Sequence, residues 1–159
     1  MKAINRVMVC VDLSDYSKMI IEYTLSIVRG FNAEILLLNV INSKDVDALK
    51  SLDPHFLERF SFTKYIEREK AERRHKIKLM VEEHFPSDAA QMHISIHIGI
   101  PFDSILKAIK TEKIDLVVIA SKGRSNLLGT LFGSNAEKVF RHSPVPVLSV
   151  RNRDRFGRN

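Results

Sequence analysis

Five short runs rich in Val, Ile and Leu punctuate the chain, at 7–11, 35–41, 92–98, 116–120 and 145–150, and the stretches between them carry helical spacing. Four of these runs are apolar almost throughout, the pattern of strands buried on both faces of a parallel sheet. The run at 92–98 differs: Met92, Ile94, Ile96 and Ile98 alternate with His93, Ser95 and His97, a period of two that predicts a strand with one wetter face. Alternating strands and helices leave few architectures open, because right-handed crossovers place helices over both faces of one parallel sheet. The expected fold class is α/β, a doubly wound five-stranded parallel sheet with helices on both faces.

The first helical segment shows Ile20, Tyr23, Ile27, Val28 and Phe31 on one face, with Ser14 as the expected N-cap and Gly30 with Asn32 as stop signals. A second, over 60–85, carries Glu67-Arg68-Glu69-Lys70 and Glu72-Arg73-Arg74, a mixture of signs that reads as a solvated helix face. Pro101 suits the first turn of a third helix, with Ile105, Leu106 and Ile109 pointing inward. A fourth is expected from Ser134 to about His142, where Pro144 and Pro146 prevent its continuation. The longest irregular connection, 42–59, is expected to be a mobile flap or a short extra helix.

With 159 residues the chain suits a single domain, over 1–151, and a domain of this size buries roughly 68 to 70% of its unfolded surface. Residues 152–159 form an appended basic tail whose composition favours disorder. Cys10 is the only cysteine, which excludes an internal disulfide and a Cys-rich metal site. The apolar runs fall far short of the roughly 20 residues that cross a bilayer, and the first residues lack the features of a secretory signal. No membrane is expected, and the cytoplasm is the expected compartment. The formal net charge of +6 points to anionic partners. It is unevenly placed: 151–159 holds four arginines against one aspartate, net +3, and Lys122 with Arg124 adds two more in one loop. Nucleic acid is therefore not the expected partner of the fold. It stays open as an alternative for the tail, where it would show steep salt dependence.

That loop is the most informative stretch. Residues 120–134, Ala-Ser-Lys-Gly-Arg-Ser-Asn-Leu-Leu-Gly-Thr-Leu-Phe-Gly-Ser, follow a predicted strand and open a predicted helix. Glycines permit close backbone approach, a helix N-terminus offers unpaired N–H groups, and Lys122 and Arg124 supply positive charge, which are the parts of a phosphate cradle. The spacing matches neither the P-loop nor Gly-x-Gly-x-x-Gly. Ser134-Asn135-Ala136-Glu137 also fits a capping box, in which Ser134 accepts the N–H of Glu137; a capping hydroxyl can still donate its proton to a phosphate. Other candidates are weaker. Cys10 reads as a small buried core residue. His93 and His97 share a strand face without a Cys or acid partner, so no metal site is expected there. His84 and His142 read as helix-terminus residues. Neither a Ser-His-Asp arrangement nor paired carboxylates stand out, which argues against a dedicated hydrolase.

The loop resembles the signature of the universal stress protein family, in which Gly, two residues, Gly, nine residues and Gly precede Ser or Thr. Gly123 and Gly133 are separated by nine residues, Ser134 follows, and Ala120 stands at the first glycine position. The resemblance covers 3–151: Val9-Cys10-Val11-Asp12-Leu13-Ser14 is similar to the opening strand and its Asp, 36–40 to the second strand, Gly99-Ile100-Pro101 to the turn before the third helix, and 141–148 to the closing segment. It implies a sheet in the order 3-2-1-4-5 that binds ATP or another adenine nucleotide in some members and no nucleotide in others. In that order the first and fourth strands lie side by side with diverging connections, which opens a crevice at their C-terminal ends.

Carried over position by position, the resemblance places Val11 and Asp12 near the ribose and phosphates, the Val40 backbone against the adenine, and Ile119 beside the base. Gly123, Gly133, Ser134 and the Asn135 amide hold phosphates, with Ala120, Ser121 and Arg124 in the same site. Asp12 is a candidate for a ribose hydroxyl or for Mg²⁺; polarity at a helix start near Ser14 explains it as well. Also implied are a homodimer through 145–150, which covers an exposed edge strand, and a role in stress response or signalling. Slow ATP turnover or none is expected, since no general base is evident beside Lys122, Arg124 and Mg²⁺. A methyl at 120 that crowds the ribose costs about 1 to 3 kcal/mol, or about 5- to 150-fold in affinity. The alternative function is a dimeric interaction module of the same fold that binds no nucleotide.

Overall fold

A computed structural model describes residues 3–52, 61–121 and 133–151. The strands are β1 (Arg6–Cys10), β2 (Glu34–Asn42), β3 (Met92–Gly99), β4 (Leu116–Ala120) and β5 (Val147–Val150). The helices are α1 (Tyr16–Val28), α2 (Ser43–Leu52), α3 (Phe62–His84), α4 (Pro101–Thr111) and α5 (Ser134–His142), with a 3-10 turn at Ala89–Gln91. Every strand pair is parallel, and the sheet order is β3-β2-β1-β4-β5. That is the expected fold.

Side-chain alternation along the strands divides the core into two layers. Val7, Val9, Leu37 and Val118 pack against Ile20 and Ile21 of α1 and Ile66, Ile77 and Val81 of α3. Met8, Leu38, Val117 and Ile119 pack against Ile105, Ala108 and Ile109 of α4 and Ala136 and Val139 of α5. Both faces of the central strands are therefore covered, which is why their sequences are continuously apolar; each such side chain contributes about 1.5 to 3 kcal/mol by burial. Among the described residues no helix is long and apolar enough to cross a membrane.

Four local expectations need correction or completion. The buried face of α1 is Ser17, Ile20, Ile21, Thr24 and Val28, while Ile27 is 39% and Phe31 64% exposed. Ser17 and Thr24, which the apolar spacing did not mark, tolerate burial because their hydroxyls donate to Asp12 Oδ1 (3.2 Å) and the Ile20 carbonyl (2.7 Å). Ser14 lies two residues before α1 and accepts the Tyr16 N–H at 3.3 Å, but Asp12 organises the turn. At α5, Gly133 is the N-cap and Ser134 is already helical; the helix start makes no side-chain cap hydrogen bond, so the capping box does not form. The connection after β2 contains a short extra helix, α2, whose start is fixed by the Lys44 N–H donating to Asn42 Oδ1 at 3.1 Å. Residues 53–60 and the tail at 152–159 lie outside the described residues.

Candidate functional site

β1 runs into α1 and on to β2, while β4 runs towards α5 and β5, so the connections diverge between two adjacent strands. A crevice must open at the C-terminal ends of such a pair, and a cavity of about 350 Å³ lies there. Val11, Asp12, Val40, Ile119, Ala120, Gly133, Ser134 and Asn135 all line it. Ser121 is buried just behind the wall at 3% exposure, where its carbonyl accepts the Gly133 N–H at 2.8 Å. Gly123 and Arg124, with Lys122, lie outside the described residues.

One end of the cavity is formed by the N-terminus of α5. The first intrahelical bond of α5 runs from the Glu137 N–H to the Gly133 carbonyl at 3.0 Å. The N–H groups of Ser134, Asn135 and Ala136 therefore have no intrahelical acceptor, and all three residues line the cavity. Gly133 has φ −69° and ψ 149°, a conformation open to any residue. Among the described residues, a Cβ added there would meet only the Ser121 carbonyl, at 3.9 Å, an ordinary contact. Neither the backbone nor the described packing requires glycine at 133, and the residue lines the cavity.

The β1–α1 turn supplies the carboxylate. Asp12 Oδ1 accepts hydrogen bonds from the Ser14 N–H (3.0 Å), the Ser14 hydroxyl (2.6 Å) and the Ser17 hydroxyl (3.2 Å). Leu13 between them is left-handed at φ 61°, a strain of about 1 to 3 kcal/mol that these bonds hold in place. Asp12 thus organises the helix start and lines the cavity at once. Among the described residues no group of three or more His, Cys, Asp or Glu could hold a metal ion. This donor set fits a Mg²⁺ carried on a nucleotide's phosphates and touched by at most one or two carboxylates, not a protein cage.

Several lining residues were not anticipated from sequence: Cys10, Asn39, Asn42, Asp45 and Arg73. Cys10 packs against the core layer, as expected, and is half-buried where it lines the cavity. Burial, reinforced by the charge of Asp12, pushes its thiol up to about 12, so it remains protonated and unreactive at neutral pH. Asn39 is buried and its amide bridges two elements: Nδ2 donates to the Val11 carbonyl at 2.7 Å, and Oδ1 accepts from Arg73 Nη1 at 3.2 Å. Arg73 belongs to the charged run read as a solvated face. Its signal was spacing, seven residues after buried Ile66 and four before buried Ile77. Of the histidines, His93 faces a separate small groove with Arg6 and Glu34, and His142 packs edge-on to Phe102 at 5.6 Å.

Fold and crevice together define a doubly wound α/β protein with a cavity at its topological switch point. A sequence profile described as the universal stress protein family matches residues 3–151. The chain belongs to that family. The Universal stress protein MJ0531 of Methanocaldococcus jannaschii is 26% identical over 147 residues, covering 92% of this chain and 82% of the relative. Among solved structures, the hypothetical protein MJ0577 superposes with a TM-score of 0.76 at 22% identity, covering 94% of this chain and 96% of its own. A universal stress protein in complex with cAMP (TM-score 0.60, 21% identity, 94% and 98% covered) and an Arabidopsis thaliana family protein with AMP bound (0.57, 23%, 94% and 94%) share the fold.

Proposed function

We propose that this chain binds an adenine nucleotide, ATP or AMP, in the cleft at the C-terminal ends of β1 and β4, with phosphates at Gly133, Ser134 and Asn135 and the base near Val40 and Ile119. The observation that carries this reading is Gly133: it stands at an open helix N-terminus where neither its own conformation nor its described neighbours call for glycine, and close approach of a ligand to the backbone does. Ser134 is the first residue of the helix and lines the cavity, and its hydroxyl would donate to the same phosphate. The adenine nucleotides bound by the two family members with cAMP and AMP support the ligand class. Mg²⁺ would arrive with ATP, with Asp12 as its protein contact. The biological role that goes with such a site is stress response or signalling in the cytoplasm, with ATP turnover slow or absent.

A homodimer through the strand at 145–150 belongs to the same reading. β5 pairs only with β4 among the described residues, whereas β3 at the far edge has its Ile94 carbonyl taken by Arg74 Nη1 at 2.8 Å. An open edge favours pairing with a second copy. Ala120, 8% exposed on the cavity wall, motivates the second reading, an interaction module that binds no nucleotide. Thermal melting with millimolar Mg-ATP and AMP separates the two, since a ligand that binds only the folded state must raise its stability.

A further inference from the structure

Asn39 is a polar residue within an apolar strand, and it is 2% exposed. Burying an amide costs free energy unless its hydrogen bonds are made. Both ends of this one are engaged: Nδ2 donates to the Val11 carbonyl at 2.7 Å, and Oδ1 accepts from Arg73 Nη1 at 3.2 Å. A satisfied buried amide specifies one arrangement of the chain segments around it.

Here the arrangement is a break in the β1–β2 ladder. The parallel register runs from Arg6 opposite Glu34 to Cys10 opposite Leu38, and one further bond follows, from the Val11 N–H to the Leu38 carbonyl at 2.9 Å. The N–H and carbonyl of one residue point to the same side of a strand, and the sides alternate along it. Leu38 faces β1, so Val40 does too. The next rung of the ladder would join the Val40 N–H to the Val11 carbonyl. That acceptor is the one Asn39 Nδ2 takes, and no backbone bond joins Val40 to β1 among the described residues. The side chain stands in for the main chain: it satisfies the Val11 carbonyl and leaves the Val40 N–H and carbonyl turned towards β1. Val11, Asn39 and Val40 all line the cavity, so these open groups fall at the cleft. Arg73, 3.6 Å from Glu69 Oε2, keeps the amide from turning over, since the flipped form would set Nδ2 against the guanidinium.

We propose that Asn39 is a positioning residue, which keeps β1 and β2 apart beyond Cys10 and Leu38 so that the Val40 peptide can hydrogen-bond a ligand in the cleft. The ligand half of this inference rests on the nucleotide reading; the parting of the strands does not. The test is residue-resolved amide hydrogen exchange by NMR on the wild-type chain, N39A and N39S, with each rate corrected for local sequence and Leu38 as the reference inside the ladder. A short side chain vacates the Val11 carbonyl and the room beside it, so the Val40 N–H takes that carbonyl. Val40 should then exchange about 5- to 10-fold more slowly than in the wild type, while Leu38 exchanges no more slowly. Loss of stability alone would speed both amides. N39S, whose hydroxyl still offers Arg73 an acceptor, keeps the test available if N39A fails to fold. AMP should slow Val40 exchange in the wild type, and N39A should bind AMP about 5- to 50-fold more weakly by calorimetry. A Val40 rate that is unchanged or raised in both variants overturns the proposal. A wild-type chain that binds no AMP overturns the nucleotide reading, whereas a slowed Val40 in the variants still assigns Asn39 the parting of the strands.

Discussion

The Gly133 N–H donates to the Ser121 carbonyl at 2.8 Å, which ties the residue leaving β4 to the residue that opens α5. Because of this bond, the cap of α5 sits against the end of a buried strand, and the direction of its open N–H groups is fixed by the sheet. Gly133→Ala separates a structural from a ligand-related role for the glycine. The added Cβ meets only an ordinary 3.9 Å contact, so urea unfolding should change by less than about 1 kcal/mol. Nucleotide affinity should fall by about 5- to 150-fold as the methyl enters the space kept for phosphate. A variant that loses stability and keeps affinity would assign the glycine to the fold.

Asn39→Leu should cost at least about 2 kcal/mol in urea unfolding, although the volumes are similar. The Val11 carbonyl and the Arg73 Nη1 group both lose their partner in a buried setting, and each orphaned group costs about 1 to 3 kcal/mol. A variant as stable as the wild type would mean that water replaces the amide.

Cys10 gives a pH window. Its thiol is raised from 9.0 to about 12, first by burial and then by the charge of Asp12. The folded state therefore holds the proton more tightly than the unfolded state. The resulting stability is fully present below pH 9 and is lost as pH rises towards 12. Denaturation curves across that range should show a loss that Cys10→Ala lacks, and alkylation of the native thiol at pH 8 should be slow. Rapid alkylation of the folded chain at pH 8 would contradict the assigned environment.

Ala120→Gly addresses the residue that departs from the family signature. Removing a mostly buried methyl and adding backbone freedom in a strand should destabilise the fold by about 1 to 2 kcal/mol. If the methyl crowds the ribose, ATP affinity should rise by about 5- to 150-fold, readable by calorimetry. Unchanged affinity would show that the cleft accommodates Ala120.

The strands and their parallel pairing were legible because they depend on local pattern, whereas the resemblance to the family, not local pattern, named eight of the residues that line the cavity. A strand covered on both faces must be apolar throughout, as at Val117 and Val118, and an ordered loop-to-helix signature marks Gly133 and Ser134. Residues whose role depends on distant partners were not. Arg73 looked solvated because it stands in a run of mixed charge, Glu72-Arg73-Arg74; its spacing from Ile66 and Ile77 turns it inward. The apolar spacing of the first helix did not mark Ser17 and Thr24, whose burial depends on hydrogen bonds to Asp12 and to the Ile20 carbonyl. Ser134 looked like a cap, but the bond from Gly133 to Ser121 begins the helix one residue early and leaves the Ser134 hydroxyl on the cavity wall.

If the cleft between β1 and β4 holds an adenine nucleotide, the melting temperature of the wild-type chain must rise with the concentration of Mg-ATP or AMP. A nucleotide present at about 100 times its Kd should add about 2.7 kcal/mol of stability, seen as a saturable rise of several degrees. No shift at millimolar concentration of either nucleotide would contradict the account.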